Sequence, residues 1–394
     1  MSNVRWIDNL KLRASYGSLG NVNNVGYYDY LDVLSIGTIA VLGGNPITGV
    51  YPTSAANPTL TWETVLSKNV GLDADLFGHA LSIQLDVYDK RTSNILLKLP
   101  QPQEYGYQTV PSTNAGKVDN KGIELNLSHS GSIGKLQYTI GGNLTKIWNK
   151  IIDLHGQDNQ VSGYWIYKQG KSIGAFYMYR AEGLFKDAAG VAASAQKTTA
   201  HPGDIRYADL SSSGGKPDGQ IDSYDRDIVG NDVPYFNYGL NLGLRYQGFD
   251  FNIQGQGVTN VRVYLEDEAS QAFFNGAGVK QYVLGRWTQA NPNPNAVYPR
   301  LLTTANNGNN LQKSSFWLFN ADYFRFKTVS LGYTLPSGIV SKRYVQALRL
   351  YVSSNNAFTI RGDHRMKDFD SEAPSSRAAY PQLKTFSVGI NATF

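Results

Sequence analysis

Apolar and polar residues alternate with period two in segment after segment of this chain, the spacing of a strand with one apolar face. Leu10, Leu12, Ala14 and Tyr16 alternate with Lys11, Arg13 and Ser15. Val70, Leu72, Ala74 and Leu76 repeat the pattern, and after Phe77-Gly78-His79 it returns as Leu81, Ile83, Leu85 and Val87, which predicts a hairpin. Ile123, Leu125 and Leu127 precede Gly131-Ser132-Ile133-Gly134, followed by Leu136, Tyr138 and Ile140. Tyr238 to Tyr246 and Phe249 to Ile253 flank Gln247-Gly248, a second tight turn. Three closing strands are predicted at 324–335, 348–354 and 386–394. Between Phe326 and Val329 the apolar parity switches, as a β-bulge would cause. The i, i+3, i+4, i+7 spacing of a helix is almost absent.

Connection lengths then select the architecture. Tight links near 78, 132, 247 and 336–346 alternate with long ones near 17–61, 91–117, 147–235, 259–320 and 357–382. Strict short-long alternation predicts an all-β, antiparallel up-and-down transmembrane barrel of about ten strands, with brief turns on one rim and long external loops on the other. The last strand then ends at the turn rim, on Phe394.

Composition agrees with this reading. No run approaches the ~18 apolar residues of a membrane helix, and mean hydropathy is −0.33. A barrel strand of ~10 alternating residues leaves such an average unchanged. The 26 Tyr, 16 Phe and 6 Trp suit surfaces that are half apolar and half wet. Zero Cys excludes disulfides and thiolate chemistry. The net charge of +5 is scattered, with no basic block, which argues against nucleic acid as a partner. Residues 1–8 carry no apolar export signal as written.

Chemical motifs are few. Gly170-Lys171-Ser172-Ile173-Gly174 has the spacing of a hydrolase nucleophile elbow, but Ala175-Phe-Tyr-Met-Tyr179 after it reads as extended where a helix is required. The five His share no metal-ligand spacing, and Arg361-Gly-Asp363 is a three-residue match expected by chance. Asp218-Gly-Gln-Ile-Asp-Ser-Tyr-Asp225 places carboxylates around a turn glycine, as a calcium loop does. Asp218, Asp222 and Asp225 are the candidate ligands. Asp209 is a fourth, although Ser213-Gly-Gly-Lys-Pro217 lengthens the approach.

A family resemblance draws these segments together. Asn57-Pro-Thr-Leu-Thr-Trp-Glu63, Val87-Tyr-Asp-Lys-Arg-Thr92, Asn114-Ala-Gly-Lys-Val-Asp-Asn-Lys-Gly-Ile-Glu124, Pro202-Gly-Asp-Ile-Arg-Tyr207, Asp225-Arg-Asp-Ile-Val-Gly230, Phe324-Arg-Phe-Lys327 and Val388-Gly-Ile-Asn-Ala-Thr-Phe394 occur in consistent order. Together they resemble the carboxyl half of SusC/RagA-type TonB-linked outer-membrane transporters. The resemblance implies that residues 1–394 are the carboxyl-terminal barrel portion of a glycan or peptide importer in the outer membrane, without its plug. It implies a SusD-like surface lipoprotein as partner, TonB coupling through an amino-terminal part outside these residues, and no enzymatic step. It also implies that Phe394 is the terminal aromatic read during barrel insertion.

Loop aromatics are then the candidate substrate contacts: Tyr164, Trp165, Tyr167, Tyr282 and Trp287, by stacking on sugar or packing on peptide. Each could equally anchor its loop. Two rival classes remain, a passive porin-like channel and a soluble all-β carbohydrate-binding protein. Membrane fractionation and energy dependence of uptake separate them.

Overall fold

The computed structural model describes residues 5–22, 30–31, 33–52, 57–98, 104, 112–303, 308–336, 345–372, 380 and 382–394. Its strands, in chain order, are β1 (Ile7–Asn21), β2 (Leu34–Leu42), β3 (Asn45–Pro52), β4 (Glu63–Leu76), β5 (Leu81–Lys98), β6 (Ser112–Ile133), β7 (Leu136–Leu154), β8 (Asn159–Ser162), β9 (Trp165–Lys168), β10 (Ala175–Tyr179) and β11 (Ala181–Leu184). After the short helix α1 (Ala188–Ala192) come β12 (Ile205–Tyr207), β13 (Arg226–Asn231), β14 (Phe236–Tyr246), β15 (Phe249–Thr259) and β16 (Arg262–Tyr264). The last are β17 (Leu318–Asn320), β18 (Tyr323–Thr334), β19 (Ala347–Asn355), β20 (Thr359–Arg361) and β21 (Thr385–Thr393).

The main sheet is an antiparallel path β1-β4-β5-β6-β7-β14-β15-β18-β19-β21, with β20 added beside β18. These ten path strands are the ones that alternation predicts. Several run longer than expected: β6 has 22 residues and β7 has 19, about twice what lipid requires, so they project beyond the bilayer on the loop side. The long link expected at 91–117 therefore contracts to residues 99–111, most of which fall outside the described residues. The 17–61 link contains the β2–β3 hairpin, and the short link at 336–346 is mostly outside the described residues.

The tight turns have the backbone that right-twisted hairpins demand. Gln247 (φ 46°) and Gly248 (φ 88°) are both left-handed, the signature of a two-residue turn matching strand twist. The expected bulge is present: Gln254 faces Thr328 while Gly255 faces Phe326, leaving Lys327 as the extra residue.

The two faces of the sheet differ as solvents differ. Leu12 (78% exposed), Val70, Leu240 and Val388 (86%) stand outward with nothing packed over them, a belt that water would not tolerate and lipid would. The inward face is polar. Arg13 forks between Asp73 and Asp86 at 2.8 Å each, and Arg349 meets Asp250 at 2.6 Å. Strands β1 and β21 each pair on one side only within the described residues, and lipid cannot satisfy such edges.

Apart from a small cluster of Val118, Ile151 and Leu154 on β6 and β7, the hydrophobic core lies outside this sheet. Its main cluster is drawn from the connections 155–235 and 260–322, including Phe176, Met178, Ile205, Tyr298 and Trp317. A smaller cluster joins Val263, Leu265 and Phe319 to Met366. The external loops thus form a packed cap of their own.

Candidate functional site

The cap is built from short strands rather than open loops. In the connection between β7 and β14, the sheet β13-β10-β9-β8 forms beside the β11–β12 pair. Ala175–Tyr179 is extended, as its sequence suggests, and Phe176 and Met178 point into the core at 2% and 0% exposure. The connection between β15 and β18 contributes β16 and β17. The two connections lock together through backbone. The Tyr179 amide donates to Lys313 (3.1 Å) and that of Leu184 to Pro294 (2.8 Å).

A buried polar network fastens the same seam. Asp204, 1% exposed, accepts from Arg300 Nε at 2.5 Å, Asn310 Nδ2 at 2.8 Å and the His201 amide at 2.9 Å. Asn310 Oδ1 in turn accepts from the Ile205 amide, and its carbonyl accepts from Trp317 Nε1, both at 2.8 Å. Gln196 donates to the Ile205 carbonyl and accepts from the Tyr207 amide. Gly203 sits at φ +86°, and a Cβ there would lie 2.4 Å from the Trp287 ring. The segment Pro202-Gly-Asp-Ile-Arg-Tyr207 is therefore a fastener. Glycine admits the indole, and the aspartate gathers donors from the other connection.

The five aromatic candidates divide by position. Trp165 stacks on Phe176 at 4.3 Å between ring centroids, and Tyr164 lies 4.7 Å from Tyr264. Trp287 is 8% exposed within the main cluster, and its Nε1 has no hydrogen-bond partner among the described residues. Tyr282 donates to the Ser270 carbonyl at 3.0 Å and packs between Tyr298 and Phe319. Burial raises the Tyr282 phenol above its ordinary pKa. These four share the cap interior. Tyr167 is 39% exposed on β9.

The acidic segment is organised by its own backbone. Asp225, fully buried, accepts from the amides of Leu210 (2.7 Å), Ser211 (3.1 Å) and Asp222 (2.8 Å). Asp222 accepts from the Tyr224 amide at 2.8 Å, so the two form a reciprocal capping box. Asp209 accepts from Gly219 at 2.7 Å, and Asp218 from Gln220 at 3.0 Å. Among the described residues no three His, Asp or Glu side chains converge as a metal-holding group. As placed, each of the four carboxylates accepts from at least one backbone amide.

A third connection, between β19 and β21, is strapped to the sheet by ions that sequence reasoning did not single out. Arg325, 3% exposed, holds Asp370 at 2.7 Å and Glu372 at 3.2 Å, and the bulged Lys327 reaches Glu372 at 2.9 Å. Burial alone would raise the Asp370 carboxyl; the Arg325 guanidinium, helped by backbone amides, outweighs it and holds the pKa below the ordinary value. The signal was available in Phe324-Arg-Phe-Lys327, where alternation puts a basic side chain on the inward face.

A sheet with a lipid belt, a polar inward wall and an external cap with its own core defines a transmembrane β-barrel of the receptor type. The chain matches the family model described as TonB dependent receptor-like, beta-barrel, over residues 2–391, and belongs to that family. As a member it is an outer-membrane barrel protein. It is 28% identical to TonB-dependent receptor P3 of Formosa agariphila over 413 residues, covering 98% of this chain and 40% of that protein. It is 23% identical to TonB-dependent receptor SusC of Bacteroides thetaiotaomicron over 367 residues, covering 87% of this chain and 33% of SusC. In structure it follows the RagAB peptide importer in its open-open state with a TM-score of 0.78 at 22% identity, covering 100% of this chain and 41% of that one. The chain thus spans about two fifths of the length of TonB-dependent receptor P3 and of the matched RagAB chain.

Proposed function

We propose that the chain supplies barrel wall and external cap to a TonB-coupled importer of glycans or peptides, of the SusC/RagA kind. The observation that carries this reading is the cap: connections 155–235 and 260–322 share one buried core and one buried ion network at the external rim. A diffusion pore has no need of such a fixed surface, whereas an importer that presents a docking face to a lipoprotein does. Tyr167 is exposed on that cap, which supports assigning it, among the five candidates, to contact with a ligand from solution. The other four act as anchors of the surface around it.

Import, its energy source and the lipoprotein partner belong to the whole protein, of which this chain matches about two fifths. The test is uptake of labelled oligopeptide and oligosaccharide panels by cells that carry the protein. Uptake should stop when the proton-motive force is collapsed and when the SusD-like partner is deleted. Uptake that persists unchanged under both conditions would replace this reading with the passive channel.

A further inference from the structure

The outward face of the sheet is not uniform near its external rim. Register sets Tyr16, Lys68, Asp89, Lys121 and Trp148 in one row across β1, β4, β5, β6 and β7. The row nearer the turns reads Ala14, Val70, Val87, Ile123 and Lys146. The row nearer the loops brings Arg91, Asp119 and Lys150 together. Tyr16 and Trp148 are the rings that mark a membrane-water boundary, and the first two rows, Lys146 excepted, line an apolar trough of about 760 Å³; Lys146 and Lys150 flank its Trp148 end.

Charge along this boundary does not balance. Asp119 is taken by Arg91 at 2.6 Å and Asp89 by Lys121 at 3.2 Å. Lys68, Lys146 and Lys150 have no carboxylate within 4.0 Å among the described residues. The Lys146 ammonium rests 4.6 Å from the Trp148 ring. Unmatched ammonium groups beside hydrocarbon are costly, and an anionic headgroup is the partner that removes the cost. Lys68 on β4 is three strands from Lys146 and Lys150 on β7, roughly 14 Å at ordinary strand spacing. A single phosphate cannot serve both ends.

We propose that this trough binds an outer-leaflet lipid whose headgroup carries two phosphates. One phosphate meets Lys68 and the other meets Lys146 and Lys150. An acyl chain lies over Val70, Val87 and Ile123. The site faces the membrane, so it stands or falls independently of what the protein imports.

The test is titration of the purified protein in a neutral maltoside detergent with bisphosphorylated lipid A, its dephosphorylated form and inorganic phosphate, read by native mass spectrometry. The bisphosphorylated lipid should bind at least tenfold tighter than the dephosphorylated one, and millimolar inorganic phosphate should not displace it. Combining Lys68→Gln, Lys146→Gln and Lys150→Gln should remove on the order of a hundredfold of that affinity. Lys90→Gln, on the inward face, should change nothing. Equal binding of the two lipids by the unaltered protein would overturn the proposal whether or not the triple variant folds. Displacement by inorganic phosphate would overturn its lipid part.

Discussion

Replacing Asp204 with alanine should open the cap while leaving the barrel standing. The side chain is 1% exposed and gathers Arg300, Asn310 and the His201 amide. Removing one member of a buried ion pair costs about 3–5 kcal/mol. The Arg300 side chain is 26% exposed, so water recovers part of its loss and the lower end applies to it. The Asn310 amide, on a fully buried residue, gains no such relief, and an orphaned buried donor costs about 1–3 kcal/mol. The two terms share one site and do not simply add. We expect about 3–5 kcal/mol, which raises cap opening on the order of a hundredfold or more. Hydrogen exchange of the β12 and β17 amides in membrane-embedded protein reads that opening, and heat-modifiable mobility reads the barrel. Asp204→Asn, which keeps the shape but loses the charge, should fall between. A rise below threefold, or loss of the barrel before the cap, would refute the assignment of Asp204 as the fastener.

Val388→Arg should cost about 2–4 kcal/mol if Val388 lies near the bilayer midplane, whereas Ser387→Arg on the inward face should cost much less; urea unfolding in vesicles compares them, and equal costs would reverse the two faces of β21. Asp370 has a depressed carboxyl pKa, so the strap it forms with Arg325 is fully stabilising above the ordinary carboxylate value near 3.9 and is lost as pH falls below that value through the depressed one. Proteolysis within residues 356–372 should accelerate in that acid range relative to neutral pH, and Asp370→Asn should raise it at neutral pH and weaken its pH dependence. Deleting Phe394, which lies just past β21 and is 79% exposed, should lower the amount of folded barrel in the membrane more than it lowers the stability of what does insert. Asp225→Asn should loosen residues 209–225 by about 1–3 kcal/mol without added ion, because the amide has one accepting oxygen where the carboxylate uses two; a calcium heat at millimolar ion that vanishes in this variant would instead assign the loop to the metal.

The barrel strands were legible because a lipid-facing sheet writes its geometry as strict alternation, and even the Lys327 bulge shows as a parity switch. Strand length was less legible. Beyond the bilayer both faces of β6 and β7 meet water or cap, so Lys117, Asp119 and Asn149 no longer mark a face. The cap is not legible in the sequence for a related reason: strands of three to five residues such as β12 and β10 are too short to declare a period. Its interior depends on contacts such as Asp204 with Arg300, 96 residues apart, and no local pattern encodes such a pair. Aromatic loop residues were likewise ambiguous. Trp165 and Trp287 look alike in sequence, yet partners distant in the chain decide whether a ring faces solvent or a core.

The cap also ties loop packing to strand order. Its core joins residues carried by the β7–β14 connection to residues carried by the β15–β18 connection, so it can close only when those hairpins stand in the right register. A two-residue slip between β14 and β15 preserves every apolar face but displaces the roots of the two connections by roughly 7 Å. Asp204 would then miss Arg300, and Gly203 would no longer meet Trp287. Alternation alone cannot distinguish such a slipped barrel from the native one; the cap can, and so acts as a gauge of correct assembly carried outside the membrane.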